Sequence, residues 1–179
     1  NWPVISEDPL SFANATAHAS LFLANRAIAD ELRPDTVITI GRTTLSRSIN
    51  GFVATARKKI VIDPKILTTD TDRPADQRFS ALPKLEVPEA DAEYAERFHK
   101  YSVRTAKAVS DINQWSEQLV AREIGDGIPT GTSLFISSSR PIRDIEGFAH
   151  PRDGVETFAN RGLAGIDGNI STALGIASA

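Results

Sequence analysis

Two short apolar runs rich in β-branched residues constrain the fold of this chain most strongly. The first, TVITI at residues 36–40, ends at Gly41, and the second, KIVID at 59–63, ends at Pro64. Such runs, closed by glycine or proline, are typical of strands. Apolar residues at helical spacing predict a helix over 44–56 between them. A strand, a helix and a second strand at this separation indicate a crossover between parallel strands.

The rest of the chain repeats this alternation of helix and strand patterns. Helical spacing of apolar residues predicts one helix over 17–32, and one long or two consecutive helices over 91–124. The apolar runs TSLFI (132–136) and VETF (155–158) predict further strands, each followed by a segment that enters a helix. We therefore predict an α/β fold, a three-layer Rossmann-like sandwich with a mostly parallel sheet.

Two parts of this pattern are less regular. The stretch 64–90 is rich in Thr, Asp and Pro, and it predicts a long loop with one short strand around 82–87. In the helical region that follows, the large aromatic residues, among them Phe98 and Trp115, are interpreted as core side chains.

Composition excludes several classes of function. None of the 179 residues is cysteine, which excludes a disulfide framework, a thiolate nucleophile and every cysteine-ligated metal centre. Lys and Arg number 20 against 23 Asp and Glu, for a net charge of -3. The electrostatic basis for non-specific binding to nucleic acid or a membrane surface is therefore missing. No apolar stretch approaches the roughly 20 residues that span a bilayer, and we expect a soluble, cytoplasmic protein.

The two ends of the chain carry a separate signal. Methionine is absent, including at position 1, and residues 170–179 have the pattern of an apolar helix with no stop signal or polar tail. We expect the chain to be an excised part of a longer protein.

Three segments that follow predicted strands are candidate binding sites, because ligands of parallel sheets bind where loops leave the carboxyl ends of strands. The first is GRTTLSR at 41–47. Its hydroxyls and backbone N–H groups, with Arg42 and Arg47, suit an anion at a helix N-terminus. The alternative is helix capping by Thr43 or Thr44 beside solvated arginines.

The second segment is SSSRPIR at 137–143. Three hydroxyls precede a proline suited to the first helical turn, and Arg140 and Arg143 lie three residues apart. This pattern suits a carboxylate or a phosphate, and the alternative is a serine-rich N-cap. Two arginines in a first turn oppose the helix dipole, which favours an anionic partner.

The third segment is NRGLAGIDG at 160–168. Its glycines allow the backbone to approach a ligand or a neighbouring chain closely, although packing alone also explains them. Their spacing differs from G-x-G-x-x-G, which argues against a nicotinamide- or flavin-binding domain.

Residues 131–179, above all SSSRPIRDIEGF followed by FANRGLAGIDGNISTALGIA, resemble the 2-succinyl-5-enolpyruvyl-6-hydroxy-3-cyclohexene-1-carboxylate synthases, the thiamine-diphosphate enzymes of menaquinone biosynthesis. The family pattern runs from a strand through Asn-Ser and Arg-Asp to Asn-Arg-Gly, Gly-Ile-Asp-Gly and Ser-Thr-Ala, and both halves occur here in order. GRTTLSRSI is similar to part of the family's middle domain. One departure is Ser138, where the family usually has Asn.

The resemblance implies a domain organisation and an activity. Residues 1–150 would form the Rossmann-like middle domain of a three-domain enzyme, and 151–179 the truncated start of the C-terminal thiamine-diphosphate-binding domain. The full-length enzyme would decarboxylate 2-oxoglutarate and add the succinyl unit to isochorismate. Thiamine diphosphate and Mg²⁺ or Mn²⁺ would be its cofactors, and it would form a homodimer or homotetramer.

The resemblance also implies site residues. Ser139, Arg143 and Arg161 match the family's substrate-binding serine and arginines, and Arg47 matches a middle-domain arginine that reaches the second substrate. No residue of this chain matches a catalytic position, and the chain alone is predicted to be inactive and to bind no cofactor. The alternative function, of a different class, is a non-catalytic module that binds a small anionic metabolite.

The sequence GDG at 125–127 superficially matches the start of the metal and diphosphate motif of thiamine enzymes. That motif follows a strand, whereas VAREI precedes GDG in helical register. Asp126 is therefore predicted to be a helix-end residue.

Overall fold

The structure is a computed structural model that describes residues 2–41, 45–65, 75–84, 88–89, 91–160 and 166–179. The α-helices of this part are α1 Ala19–Phe22, α2 Arg26–Glu31, α3 Arg47–Ala54, α4 Ala92–Ser110, α5 Glu117–Gly127, α6 Arg140–Phe148 and α7 Asn169–Ala177. The strands are β1 Thr36–Ile40, β2 Lys58–Ile62, β3 Gln77–Phe79, β4 Thr132–Ile136 and β5 Val155–Ala159. Every hydrogen-bonded pair of these strands is parallel. The predicted Rossmann-like α/β class is therefore confirmed.

The chain folds into two compact units. The first unit consists of Asn1–Trp2 and Ser20–His99, and the second of Pro3–Ala19 and Lys100–Ala179. In the part of the chain that the structure describes, no helix has the length and apolar character needed to cross a membrane.

The first unit contains a three-stranded sheet in the order β1-β2-β3. Strands β1 and β2 pair in parallel from Thr36 opposite Lys58 to Ile40 opposite Ile62, with α3 between them in the chain. The predicted crossover is therefore confirmed.

The third strand of this sheet lies elsewhere than predicted. It is Gln77–Phe79, whereas 82–84 form no strand and 85–87 lie outside the described residues. The reason is a tertiary contact: the Asp76 carboxylate accepts a hydrogen bond from the Lys59 N–H (2.6 Å), and the Asp76 N–H donates to the Lys59 carbonyl (2.9 Å). These bonds hold the polar run after Asp76 against β2, while Leu82 is 77% exposed.

Aromatic side chains form the core of the first unit. Phe98 of α4 is buried and lies edge-on to Phe22 and Phe52, with ring centroids 5.9 Å apart in both pairs. Tyr94, one turn earlier in α4, contacts Phe98 and donates a hydrogen bond from its hydroxyl to the Leu32 carbonyl at 2.9 Å. Burial raises the pKa of Tyr94 to about 12.

Capping side chains set helix boundaries that apolar spacing did not predict. The predicted helix over 17–32 is two short helices, because the Asn25 side chain caps α2 by accepting from the Ala27 N–H at 3.0 Å. The region 91–124 also forms two helices, which is one of the two predicted outcomes, and Ser116 caps the second. Trp115 precedes that cap and is 87% exposed, so its interpretation as a core residue is wrong.

The second unit is built on the pair of strands β4 and β5. They pair in parallel and in register, from Thr132 opposite Val155 to Ile136 opposite Ala159. Its core consists of buried apolar residues from the 3-10 helix Pro9–Ser11, from α5, β4, α6 and β5, and from the residue after α6, namely Leu10, Ala121, Ile136, Ile145, Ala149 and Val155. The predicted domain boundary at residue 150 falls between the two paired strands, and the division into domains stays a prediction.

Candidate functional site

The carboxyl ends of β4 and β5 bring together two of the segments singled out in the sequence. Because the strands are parallel and in register, Ile136 and Ala159 lie opposite each other at the same sheet edge. The chain continues from Ile136 into Ser137–Ser139 and α6, and from Ala159 into Asn160 and the glycine-rich segment. This edge is where parallel sheets bind their ligands.

Polar side chains join these two segments to each other and to the start of α7. The buried Ser138 hydroxyl donates to the Asn160 carbonyl at 2.5 Å. The Asn169 amide nitrogen donates to the Ser137 hydroxyl at 2.8 Å, and the Asn160 amide nitrogen lies 3.3 Å from Asn169 Oδ1 and 3.1 Å from Thr172 Oγ1. We call these five residues the serine-asparagine network.

Ser139 occupies the N-cap position of α6 in an unusual backbone conformation. Its φ is 78° and its ψ is -122°, a region that favours glycine and that a serine occupies only at an energetic cost. The side chain is exposed and makes no capping hydrogen bond to α6. The hydroxyls of Ser137 and Ser138 also bond elsewhere, so the alternative of a serine-rich N-cap fails for these side chains.

The two arginines of α6 have different surroundings. Arg140 pairs with Glu117 of α5 at 3.6 Å and with the largely buried Asp144, one turn along α6, at 3.2 Å. Arg143 is exposed and makes no hydrogen bond or ion pair with any described residue. Arg140 therefore helps to hold α5 beside α6, whereas the guanidinium of Arg143 is free to bind an anion.

The turn after β1 has a different local structure. Helix α3 begins at Arg47, and its cap is Ser46, whose hydroxyl accepts from the Ile49 N–H at 3.4 Å. The predicted capping residues Thr43 and Thr44 lie outside the described residues. Arg47 belongs to the first unit, is exposed, and has no hydrogen-bond or ion-pair partner among the residues that the structure describes.

Of the four predicted substrate-binding residues, the structure therefore places three. Ser139 and Arg143 lie together in the first turn of α6 in the second unit, and Arg47 lies in the first unit. Arg161 falls outside the described residues. The binding roles of all four stay predictions.

Asp126 lies in the last turn of α5, as predicted. Its carboxylate accepts a hydrogen bond from His150 Nδ1, at 3.0 Å and 3.1 Å to its two oxygens. Within the described ranges, no group of three or more His, Asp or Glu side chains is placed to hold a metal ion. Asp126 thus connects the last turn of α5 to His150, which follows the C-terminus of α6.

A second histidine lies beside this pair. His18 is buried, and its Nδ1 donates to the Gly147 carbonyl at 2.8 Å, whereas its Nε2 has no hydrogen-bond partner among the described residues. The rings of His18 and His150 meet edge to face at 5.0 Å. Burial lowers the pKa of His18, and the neighbouring His150 adds to this effect.

Sequence reasoning missed the α7 members of the serine-asparagine network. Asn169 and Thr172 are two of the three polar residues in the first turn of α7, NISTALGIA, and Asn169 is buried. A buried polar residue at a helix start after a strand is a signal that points to a partner. The partner itself follows only from the pairing of β4 with β5.

Comparison with known proteins adds to this geometry. No family model matches the chain. It is 31% identical over 186 residues to the 2-succinyl-5-enolpyruvyl-6-hydroxy-3-cyclohexene-1-carboxylate synthase of Saccharopolyspora erythraea, which covers 99% of this chain and 33% of that protein. The synthases of the same name from Trichormus variabilis (32% over 200 residues, 98% and 34%) and Thermobifida fusca (29% over 184 residues, 99% and 33%) are similar to it as well.

These alignments cover nearly the whole chain, including both segments at the β4–β5 edge. The chain spans about a third of the length of these curated relatives. Over most or nearly all of its length, the chain is therefore similar to a part of the 2-succinyl-5-enolpyruvyl-6-hydroxy-3-cyclohexene-1-carboxylate synthases.

Proposed function

We propose that the chain is a segment of a synthase that decarboxylates 2-oxoglutarate and adds the succinyl unit to isochorismate in menaquinone biosynthesis. In this proposal residues 1–150 contribute the middle domain, and 151–179 enter the C-terminal domain. The full-length enzyme is a thiamine-diphosphate-dependent transferase of the cytoplasm, a homodimer or homotetramer. The similarity of nearly the whole chain to synthases of this name supports the activity.

The observation that carries the proposal for this chain is the free start of α6 at the β4–β5 edge. Ser139 and Arg143 are exposed there, and their side chains are not used to cap or pair within the described structure. Both substrates carry several carboxylates, which a guanidinium binds in a two-pronged, charge-assisted geometry. Ser139, Arg143 and Arg161 would bind substrate carboxylates, and Arg47 would reach the second substrate.

The described residues do not fit a site for thiamine diphosphate and its metal ion. The candidate motif GDG is helical in this structure, and its Asp126 carboxylate accepts a hydrogen bond from His150. We therefore assign thiamine diphosphate and Mg²⁺ or Mn²⁺ to other parts of the full-length enzyme. The role left to this chain is to bind and orient substrate, and the chain alone is expected to be inactive.

Conservative substitution of the arginines in the full-length enzyme tests the proposal. Lysine keeps the charge but loses the two-pronged geometry, so we expect Arg143→Lys and Arg161→Lys each to lower kcat/KM by at least about tenfold. Steady-state kinetics with 2-oxoglutarate and isochorismate measures this change.

Arg57→Lys is the matched control. Arg57 pairs with Asp35 at 3.5 Å across solvent, where both side chains are more than 80% exposed (83% and 85%). Exposed pairs contribute little, so this variant should behave as the wild type. If both site variants matched Arg57→Lys, the role of these segments in substrate binding would be disproved.

A further inference from the structure

Asn169 belongs to the serine-asparagine network, whose five residues have no role in the proposed function. It is the first residue of α7 and is 8% exposed. Its amide nitrogen donates to the Ser137 hydroxyl at 2.8 Å, and its amide oxygen accepts from the Asn160 amide nitrogen at 3.3 Å. One buried side chain therefore bridges the segment after β4 and the segment after β5.

Beyond the ends of β4 and β5, hydrogen bonds that involve side chains join the two segments. Past Ile136 and Ala159, each described hydrogen bond that joins the two segments involves a side chain, either directly from Ser138 to the Asn160 carbonyl or through Asn169. These bonds are made by groups that are buried or half-buried. Their loss would leave buried polar atoms without partners, which is costly and favours displacement of a segment.

The residues that the network holds are direct neighbours of the predicted substrate-binding residues. Ser138 precedes Ser139, and Asn160 precedes Arg161. The network therefore fixes the chain immediately before each of these two residues. Errors of about 1 Å in the placement of a binding group can cost about a hundredfold in rate, so a rigid anchor at these points has a large effect on catalysis.

We propose that Asn169 is a positioning residue of the enzyme. Through Ser137 and Asn160 it sets the distance between the residues that precede Ser139 and Arg161, the two residues to which the proposed function assigns substrate binding. The inference rests on the proposed function, because it assigns a substrate to these two segments. An amide suits the task, since one end donates and the other accepts.

The test is made in the full-length enzyme with Asn169→Ala. We expect kcat/KM for the two substrates to fall by at least about tenfold, because the segment after β5 loses its anchor. Ser137→Ala removes the same hydrogen bond by deleting its acceptor, the hydroxyl of the half-buried Ser137, and should also lower kcat/KM. It also keeps the proposal testable if Asn169→Ala does not fold.

The control is Asn25→Ala in the first unit. This asparagine caps α2 with its side chain, so its loss lowers stability without touching the β4–β5 edge. We expect kcat/KM to stay within about twofold of the wild type at a similar loss of melting temperature. If Asn169→Ala and Asn25→Ala had the same catalytic effect, Asn169 would be a structural residue only.

A double-mutant cycle with Arg161→Lys separates positioning from other catalytic defects. If Asn169 acts through the segment of Arg161, Asn169→Ala should cost less than about threefold in the Arg161→Lys background. Full additivity of the two effects would overturn the proposal. The proposed function fails separately, when the wild-type enzyme does not consume isochorismate with 2-oxoglutarate.

Discussion

The turn after β1 and the turn after β4 are similar in sequence and different in what their hydroxyls do. Each leads from a strand into a helix and has a residue at positive φ, Gly41 at 74° and Ser139 at 78°. In the first turn, the Ser46 hydroxyl bonds within its own helix. In the second, Ser137 and Ser138 bond to the segment after β5 and to α7.

The difference teaches that hydroxyl content alone does not distinguish a helix cap from a binding edge. At the end of β1 the described cross-strand bond is a backbone one, from the Gly41 N–H to the Ile62 carbonyl at 2.8 Å. At the end of β4 the cross-links are made by side chains. Ser139 and Arg143, at the start of α6, form no side-chain hydrogen bond or ion pair with a described residue. The two units also differ in the surroundings of their helical glycines and in the pH range in which a buried or half-buried group titrates.

The largest expected difference in the free energy of unfolding is between alanine substitutions of two helical glycines, one in each unit. A Cβ on Gly125 of α5 would lie 2.5 Å from Ala149 Cβ and 3.2 Å from Ala149 Cα, so the α5–α6 contact would have to open. We expect Gly125→Ala to lower the free energy of unfolding by about 1–3 kcal/mol. A Cβ on the exposed Gly51 of α3 meets no atom within 4 Å, and Gly51→Ala should raise it by about 0.5–1 kcal/mol.

Urea denaturation of the 179-residue chain, followed by circular dichroism, measures both changes. The two variants make the same chemical change in a helix, so helix propensity is matched and only the surroundings differ. Equal effects of the same sign would contradict the close approach of α5 and α6 at Gly125.

The next effect in size compares the N-cap serines of the two turns. Ser46→Ala removes the cap of α3 and should lower the free energy of unfolding by about 1 kcal/mol. Ser139→Ala removes no capping bond and should change it by less than about 0.5 kcal/mol. Ser139→Gly should raise it, because glycine adopts a φ of 78° without strain.

Thermal unfolding of the three variants shows whether the Ser139 hydroxyl stabilises α6 as a cap or makes no capping bond. A loss of about 1 kcal/mol in Ser139→Ala would mean that Ser139 stabilises α6 after all. The side chain would then be unavailable to a substrate in the way that we propose.

Much of the fold could be predicted because strands in this chain are short and apolar. TVITI and TSLFI form β1 and β4 with the predicted bounds, since β-branched and apolar runs suit a covered parallel sheet. β3 could not be predicted, because its sequence QRF is polar and only the bonds of Asp76 to Lys59 place it in the sheet. The break between α1 and α2 depends on one side-chain cap, at Asn25.

The site could be predicted in part for a similar reason. The rule that ligands bind at the carboxyl ends of parallel strands places Ser139 and Arg143 correctly at a sheet edge. The rule does not identify Asn169, because its partners Ser137 and Asn160 lie 32 and 9 residues away in the sequence. They become neighbours only through the register of β4 and β5.

The last comparison concerns the pH dependence of stability, since the second unit carries a group with a lowered pKa and the first unit a group with a raised pKa. The pKa of His18 in the second unit is lowered from 6.5 by burial. As the pH falls below about 6.5, the unfolded chain takes up a proton that folded His18 does not, so stability is lost until the pH reaches the lower folded pKa. The pKa of Tyr94 in the first unit is raised from 10.0 to about 12, so stability is lost as the pH rises between these values.

Removing each group isolates its contribution from those of all other titrating residues. Asparagine is a suitable replacement for His18, because it tolerates the positive φ of residue 18, which is 58°. Since asparagine does not titrate, His18→Asn should flatten the acid limb of a plot of unfolding free energy against pH. Tyr94→Phe keeps the ring against Phe98 and should flatten the alkaline limb alone. Denaturation curves from pH 4 to 11 measure both limbs. An acid limb unchanged in His18→Asn would mean that His18 takes up its proton equally in the folded and unfolded chains, against the buried, unpartnered Nε2 that the structure shows.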